Sequence, residues 1–118
     1  MKKYSLEERK EWYKTLPKKH IGVGIILKNK EGKILILKTN YLGGKWTFPA
    51  GGNEQYESPH ETIIREVHEE IGIDINVGRL LFIETVNHKD INEDNIVFYF
   101  DGGILSEAQI QEISLTEQ

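Results

Sequence analysis

Apolar positions in this chain follow three spacings. Residues 21–27 form a nearly continuous β-branched run around Gly22 and Gly24, the mark of a buried strand. Residues 33–38, Lys-Ile-Leu-Ile-Leu-Lys, form a second run, and the polar stretch ending at Gly32 reads as the turn between them. Together they predict a β-hairpin. Trp46-Thr-Phe-Pro49 alternates large apolar residues and closes on a proline suited to a strand end, after a loop over residues 41–45. Residues 50–53, Ala-Gly-Gly-Asn, read as a flexible turn. Further strands are expected over residues 80–86 and 96–100, with a polar loop over residues 88–95 and a turn over residues 101–103.

Helical spacing appears in three places. Near the start, Ser5 and Glu8 form a capping-box pattern before Leu6, Trp12, Tyr13 and Leu16, and Pro17 ends the segment. That helix is expected to pack on the body or against a dimer partner; an aromatic platform for a base is the sharper alternative. The clearest helix starts at the N-cap Ser58, carries Pro59 at its first position and Glu61 as box partner, and stops at Gly72 after Ile71. A last helix is expected over residues 106–112. No repeat or low-complexity tract interrupts the pattern, so it predicts an α+β or sandwich fold.

Composition narrows the function. A length of 118 residues fits one domain over residues 1–118, with residues 1–17 as an N-terminal helical extension. Absence of cysteine excludes a disulfide scaffold, a thiolate metal site and a cysteine nucleophile, and is compatible with a cytoplasmic location. The apolar runs are too short to cross a membrane, and the N-terminus has no apolar core of a secretory signal. Net charge is −4, and residues 57–70 hold five acids (Glu57, Glu61, Glu66, Glu69, Glu70) against one base, Arg65. That focus discourages an unaided nucleic-acid backbone and suits a cation.

On a helical wheel with Glu66 at zero, Glu70 falls at about 40° and Glu69 at about 300°. Ile63, Ile64, Val67 and Ile71 form a contiguous apolar stripe, so the three carboxylates border the buried face. Like charges at these spacings cost a few tenths of a kcal/mol per pair, which a solvated acidic face would not require. A hard divalent cation gives them a purpose. Arg65, four residues before Glu69, can hold that carboxylate. Glu57 adds a fourth acid, and the Gly51-Gly52 turn lets a backbone carbonyl approach the same ion.

From Gly51 the chain reads Gly, five residues, Glu57, seven residues, then Arg65-Glu66-Val67-His68-Glu69-Glu70-Ile71-Gly72-Ile73. This resembles the Nudix box at every fixed position and both aliphatic ones. Ala50 and Tyr56 stand where many members have glycine. The resemblance implies the Nudix fold, a mixed β-sheet sandwiched between helices, with the box as loop–helix–loop. It implies a Mg²⁺- or Mn²⁺-dependent pyrophosphohydrolase that cleaves a nucleoside diphosphate linked to another moiety, by attack of a metal-bound water on phosphorus. By resemblance, Glu66, Glu69 and Glu70 match the metal ligands, Ala50 or Gly51 the backbone ligand, Glu57 a supporting acid and Arg65 an orienting residue.

The general base is a box glutamate or an outside acid, with Glu93, Asp94, Glu112 and Glu117 as candidates. The expected partner is a small-molecule nucleotide, not nucleic acid or membrane, and a homodimer is compatible with the aromatic first helix. Tyr41, Trp46, Phe82, Phe98 and Tyr99 are candidates for stacking on a base, each weighed against a core role. The histidines at 20, 60, 68 and 88 look incidental, with His60 and His68 facing solvent. The chain stops at Gln118, where similar proteins usually continue with a strand and a closing helix, so either the member is compact or part of the domain is absent. A catalytically silent nucleotide-binding regulatory domain is the alternative function.

Overall fold

The computed structural model describes residues 3–40 and 43–115. Its centre is strand β1 (His20–Lys28), whose β-branched run is buried from Val23 to Leu27. One edge of β1 pairs antiparallel with β4 (Ala50–Gly52). Its other edge pairs parallel with β6 (Glu93–Ile104), which pairs antiparallel with β5 (Leu80–His88). The mixed sheet therefore runs β4-β1-β6-β5. Two short strands, β2 (Leu37–Lys38) and β3 (Trp46–Thr47), form a separate antiparallel pair.

Four local expectations give way here. The hairpin between residues 21–27 and 33–38 is reduced to a stub: Leu35 N–H donates to the Leu27 carbonyl at 2.8 Å, and a single bridge joins Lys28 and Ile34. Both edges of β1 are already taken by β4 and β6, so the second run continues outward to pair with β3. The expected turn at residues 50–53 is in large part strand β4. Small residues there fit against Gly22 and Gly24 of β1, and pairing supplies the order that composition lacks. Strands β5 and β6 also run further than expected. The polar stretch between them shrinks to a short 3₁₀ turn (Lys89–Ile91), and the expected turn at residues 101–103 lies inside β6.

Helix α2 (Pro59–Ile71) lays Ile63, Val67 and Ile71 onto the sheet face formed by Val23, Ile25 and Phe100. Helix α3 (Glu107–Glu112) follows its cap Ser106, and Ile110 and Ile113 pack against the same core. Helix α1 (Leu6–Lys14) has the expected capping box but buries no residue, so packing on the body is not what it does. The architecture is α+β. Among the described residues no helix is long and apolar enough to cross a membrane.

Candidate functional site

The site forms where the outer edge of β4 meets α2. Ser58 Oγ accepts from Glu61 N–H at 3.1 Å, and Glu61 Oε1 accepts from Ser58 N–H at 3.3 Å. Pro59 opens the helix, and Gly72 ends it in the left-handed conformation at φ 78°. With Thr62, Ile63, Val67 and Ile71 buried, the helix has one rotational setting. That setting turns Glu66 and Glu70 toward β4.

Strand β4 presents its backbone to the helix in alternation. Ile25 N–H donates to Pro49 O, and Asn53 N–H donates to Ile21 O. Antiparallel alternation then makes Val23 and Gly51 a bonded pair and leaves Ala50 and Gly52 with polar groups facing away from β1. Ala50 N–H donates to the Glu70 carboxylate. Gly52 O accepts from Arg65 Nη2 at 3.0 Å.

Arg65 is the hub. Nε donates to Glu57 Oε2 at 2.8 Å and Nη2 to Glu57 Oε1 at 3.0 Å, a bidentate fork. Nη1 reaches Glu66 Oε1 at 2.8 Å and Glu69 Oε2 at 3.2 Å. The expected pairing with Glu69 is thus present, but the closer partners are Glu57 and Glu66. Arg65 and the Thr62 hydroxyl hold the Glu57 carboxyl down at about 2, and these carboxylates keep Arg65 charged. Thr62 is fully buried; Asn53 Nδ2 donates to its Oγ1 at 2.7 Å, and Oγ1 lies 2.7 Å from Glu57 Oε1. Thr62→Val keeps the shape and strands both partners. It should lower stability by about 1–3 kcal/mol, read as a drop in melting temperature with unchanged far-UV spectrum.

Glu66 lies against Gly51. A Cβ at position 51 would overlap the Glu66 Cδ and Cγ, so only glycine leaves room for this carboxylate. Glu70, one turn on, is half-buried, and burial together with the Glu66 charge pushes its carboxyl up to about 7. Both acids line a cavity of about 320 Å³ with Leu37, Lys38, Thr39, Asn40, Ala50, Gly51, Gly52 and Leu115. Glu69 lies outside this lining, with its side chain about half exposed at 55% and drawn toward Arg65. Among the described residues no three acidic or histidine groups converge as one cluster. Two carboxylates beside an outward-facing strand backbone still give an all-oxygen donor set, in a space that a side chain at 51 would fill. That set suits a hard divalent cation.

The two shifted carboxyls give opposite pH windows. In chelator, folded Glu57 releases its proton near 2 and the unfolded chain near 4.5, so stability rises with pH across that interval. Folded Glu70 keeps its proton to about 7, so stability falls as pH rises from 4.5 to 7. The fall should be on the order of 1 kcal/mol after allowance for the half-exposed side chain. Glu70→Gln should abolish it in melts run between pH 5 and 8.

Other candidates scatter. Asp94 is held by Lys19 at 2.8 Å, and Glu93, Asp94 and Glu112 do not line the cavity. Tyr41 and Glu117 lie outside the described residues. Phe98 packs against the core, Trp46 is exposed, and Phe82 stacks on Tyr99 at 4.5 Å. His60 is exposed yet tilts against Phe100 at 4.6 Å, and exposed His68 pairs with Asp74 at 3.0 Å. The cavity residues that sequence reasoning missed are Leu37, Lys38, Thr39, Asn40 and Leu115. The one signal for residues 38–40 was a cation and two small polar residues at the end of an apolar run, and Leu115 carried none.

A family model described as NUDIX domain matches residues 18–116. The chain is 37% identical over 86 residues to an 8-oxo-dGTP diphosphatase of Proteus vulgaris, covering 70% of this chain and 73% of that protein. It is 42% identical over 60 residues to an RNA pyrophosphohydrolase of Hydrogenovibrio crunogenus, covering 51% of this chain but only 36% of that protein. The crystal structure of a MutT protein from Methanosarcina mazei superposes with a TM-score of 0.70 at 27% identity, covering 86% of this chain and 73% of that one.

Proposed function

Because this chain belongs to the Nudix family, we propose that it is a divalent-metal-dependent pyrophosphohydrolase acting on a phosphoanhydride of a nucleotide, with the β4–α2 cavity as its active site. The observation that carries this reading is the pairing of Glu66 and Glu70 across from Gly51 and Ala50 in one cavity. Glu66 and Glu70, with the Ala50 carbonyl, would hold Mg²⁺ or Mn²⁺; the Gly51 carbonyl is taken up by the ladder to β1. Such an ion polarises the phosphorus–oxygen bonds and lowers the pKa of a bound water. Glu69, on the same helical turn, would serve as further ligand or base. Arg65 orients Glu66 and Glu69, and Glu57 anchors Arg65 from its far side. Lys38 lines the same cavity and supplies the charge opposite to a phosphate chain. Positioning and charge stabilisation supply the rate, and no covalent nucleophile is required.

The Proteus vulgaris relative makes 8-oxo-dGTP the first substrate to test, with an RNA 5′-triphosphate, ADP-ribose, a sugar nucleotide and a diadenosine polyphosphate beside it. The test incubates the protein with each compound and Mg²⁺ or Mn²⁺ and reads products by mass. Ion-dependent gain of one water across a phosphoanhydride, such as a nucleoside monophosphate plus pyrophosphate from a triphosphate, supports the reading. Tight nucleotide binding without turnover would favour a silent regulatory domain. A cytoplasmic location is part of the proposal, since such nucleotides and millimolar Mg²⁺ meet there.

A further inference from the structure

Thr62 is the only buried polar residue among those described, and it does not line the cavity. Its hydroxyl lies 2.7 Å from Asn53 Nδ2, 2.7 Å from Glu57 Oε1 and 3.0 Å from the Ser58 carbonyl. The direction of each bond follows from the partners. Asn53 Nδ2 also meets the Glu57 backbone carbonyl at 2.8 Å, which can only accept, so this end of the amide is the donor. Thr62 Oγ1 therefore accepts from Asn53 and has one proton left to give. The Ser58 carbonyl already accepts the Thr62 backbone N–H at 2.9 Å, whereas Glu57 Oε1 is charged and closer to the hydroxyl. The proton goes to Glu57. The result is a directed chain from Asn53 to Thr62 to Glu57.

Glu57 passes this order on to Arg65. Its Oε1 accepts the Thr62 hydroxyl, the Glu54 N–H at 3.1 Å and Arg65 Nη2, while Oε2 accepts Arg65 Nε. The guanidinium is a rigid planar fork, so the carboxylate plane sets the guanidinium plane. The second Nη2 proton meets the Gly52 carbonyl, and the two on Nη1 go to Glu66 and Glu69. All five donors of Arg65 are thus engaged, and a tilt of Glu57 carries Nη1, and Glu66 with it, out of line.

We infer that Thr62, held by Asn53, is a positioning residue of the cation site: its hydroxyl sets the Glu57 carboxylate and, through Arg65, the aim of Glu66 into the cavity. The inference rests on the reading of Glu66 and Glu70 as a divalent-cation site. Its leverage comes from the short distances. A methyl carbon keeps about 3.5 Å from its neighbours, where the hydroxyl oxygen sits at 2.7 Å from both partners. Thr62→Val therefore removes the bond and pushes the Glu57 carboxylate away from its present place. Groups that orient metal ligands from behind typically change metal affinity by about 10–100-fold when lost.

Calorimetric titration of Mn²⁺ into the chelator-stripped full chain at pH 8 tests this, with far-UV spectra verifying the fold of each variant. Thr62→Val should weaken Mn²⁺ binding by about tenfold, and Thr62→Ser, which keeps the hydroxyl, should stay within about twofold of wild type. Asn53→Ala frees the hydroxyl to turn to the Ser58 carbonyl and should weaken binding by about threefold, which decides the matter if Thr62→Val does not fold. A residue that only packs the core would lower the melting temperature on substitution and leave the Mn²⁺ affinity of the folded protein unchanged. Unchanged affinity in Thr62→Val and Asn53→Ala, beside a wild type that binds Mn²⁺, would overturn the inference alone. So would a Thr62→Ser variant as weak as Thr62→Val. A wild type that binds no Mn²⁺ would overturn the cation site itself and this inference with it.

Discussion

Glu70→Gln should lower kcat by on the order of 10²-fold or more at saturating Mg²⁺, with the fold intact. Glutamine keeps the shape of the side chain and can still accept from Ala50 N–H, so what is lost is a charge at the cavity wall. That charge is held in place against a cost, since burial and Glu66 both oppose it. An ion-binding role explains why the chain keeps it. The assay belongs at pH 8, above the value near 7 at which wild-type Glu70 ionises, so that the comparison is between a carboxylate and an amide. Activity within threefold of wild type would remove Glu70 from the chemistry.

Gly51→Ala should be almost as damaging, by roughly 10–10²-fold in kcat, although it changes no charged group. The added methyl occupies the space of the Glu66 carboxyl carbon. Glu66 must swing away, which withdraws one of the two acids from the cavity and breaks its bond to Arg65 at 2.8 Å. The strand tolerates alanine in its backbone, so the melting temperature in chelator should change far less than the activity does. Equal loss of stability and activity would mean that the methyl disrupts the β1–β4 pairing instead.

The parts of this molecule legible in sequence are those whose causes are local. Helix α2 carries its own cap, first-position proline, apolar stripe and terminating glycine, and the structure has it over the expected residues. Helix α1 follows its capping box in the same way, and α3 lies within the expected residues 106–112. Strand β4 was not legible because Ala-Gly-Gly has no strand propensity of its own; β1 gives it order through pairing. The hairpin turn formed where expected, with Asn29 N–H donating to Lys33 O and Leu35 N–H to Leu27 O, but its strands were cut short because β4 and β6 take the edges of β1. Within the site, helical spacing brought Glu66 and Glu70 to one wall. It gave no hint that Arg65 reaches eight residues back to Glu57, because that contact depends on how the loop returns across Gly52. The contribution of residues 37–40 to the cavity rests on the long-range placement of β2, which no periodicity records.

The central claim is that Glu66 and Glu70 form a divalent-cation site, and paired thermal melts test it most directly. Wild type and Glu70→Gln are melted at pH 8 and low salt, in chelator and in millimolar Mg²⁺. In chelator the variant should melt higher, because one of two facing charges has gone. Mg²⁺ at about ten times its Kd should stabilise wild type by ~1.4 kcal/mol, roughly 6 °C for a chain of this size, and the variant by much less. Reversal of the melting order on adding Mg²⁺ is the predicted result. Identical Mg²⁺ shifts in the two proteins would contradict it.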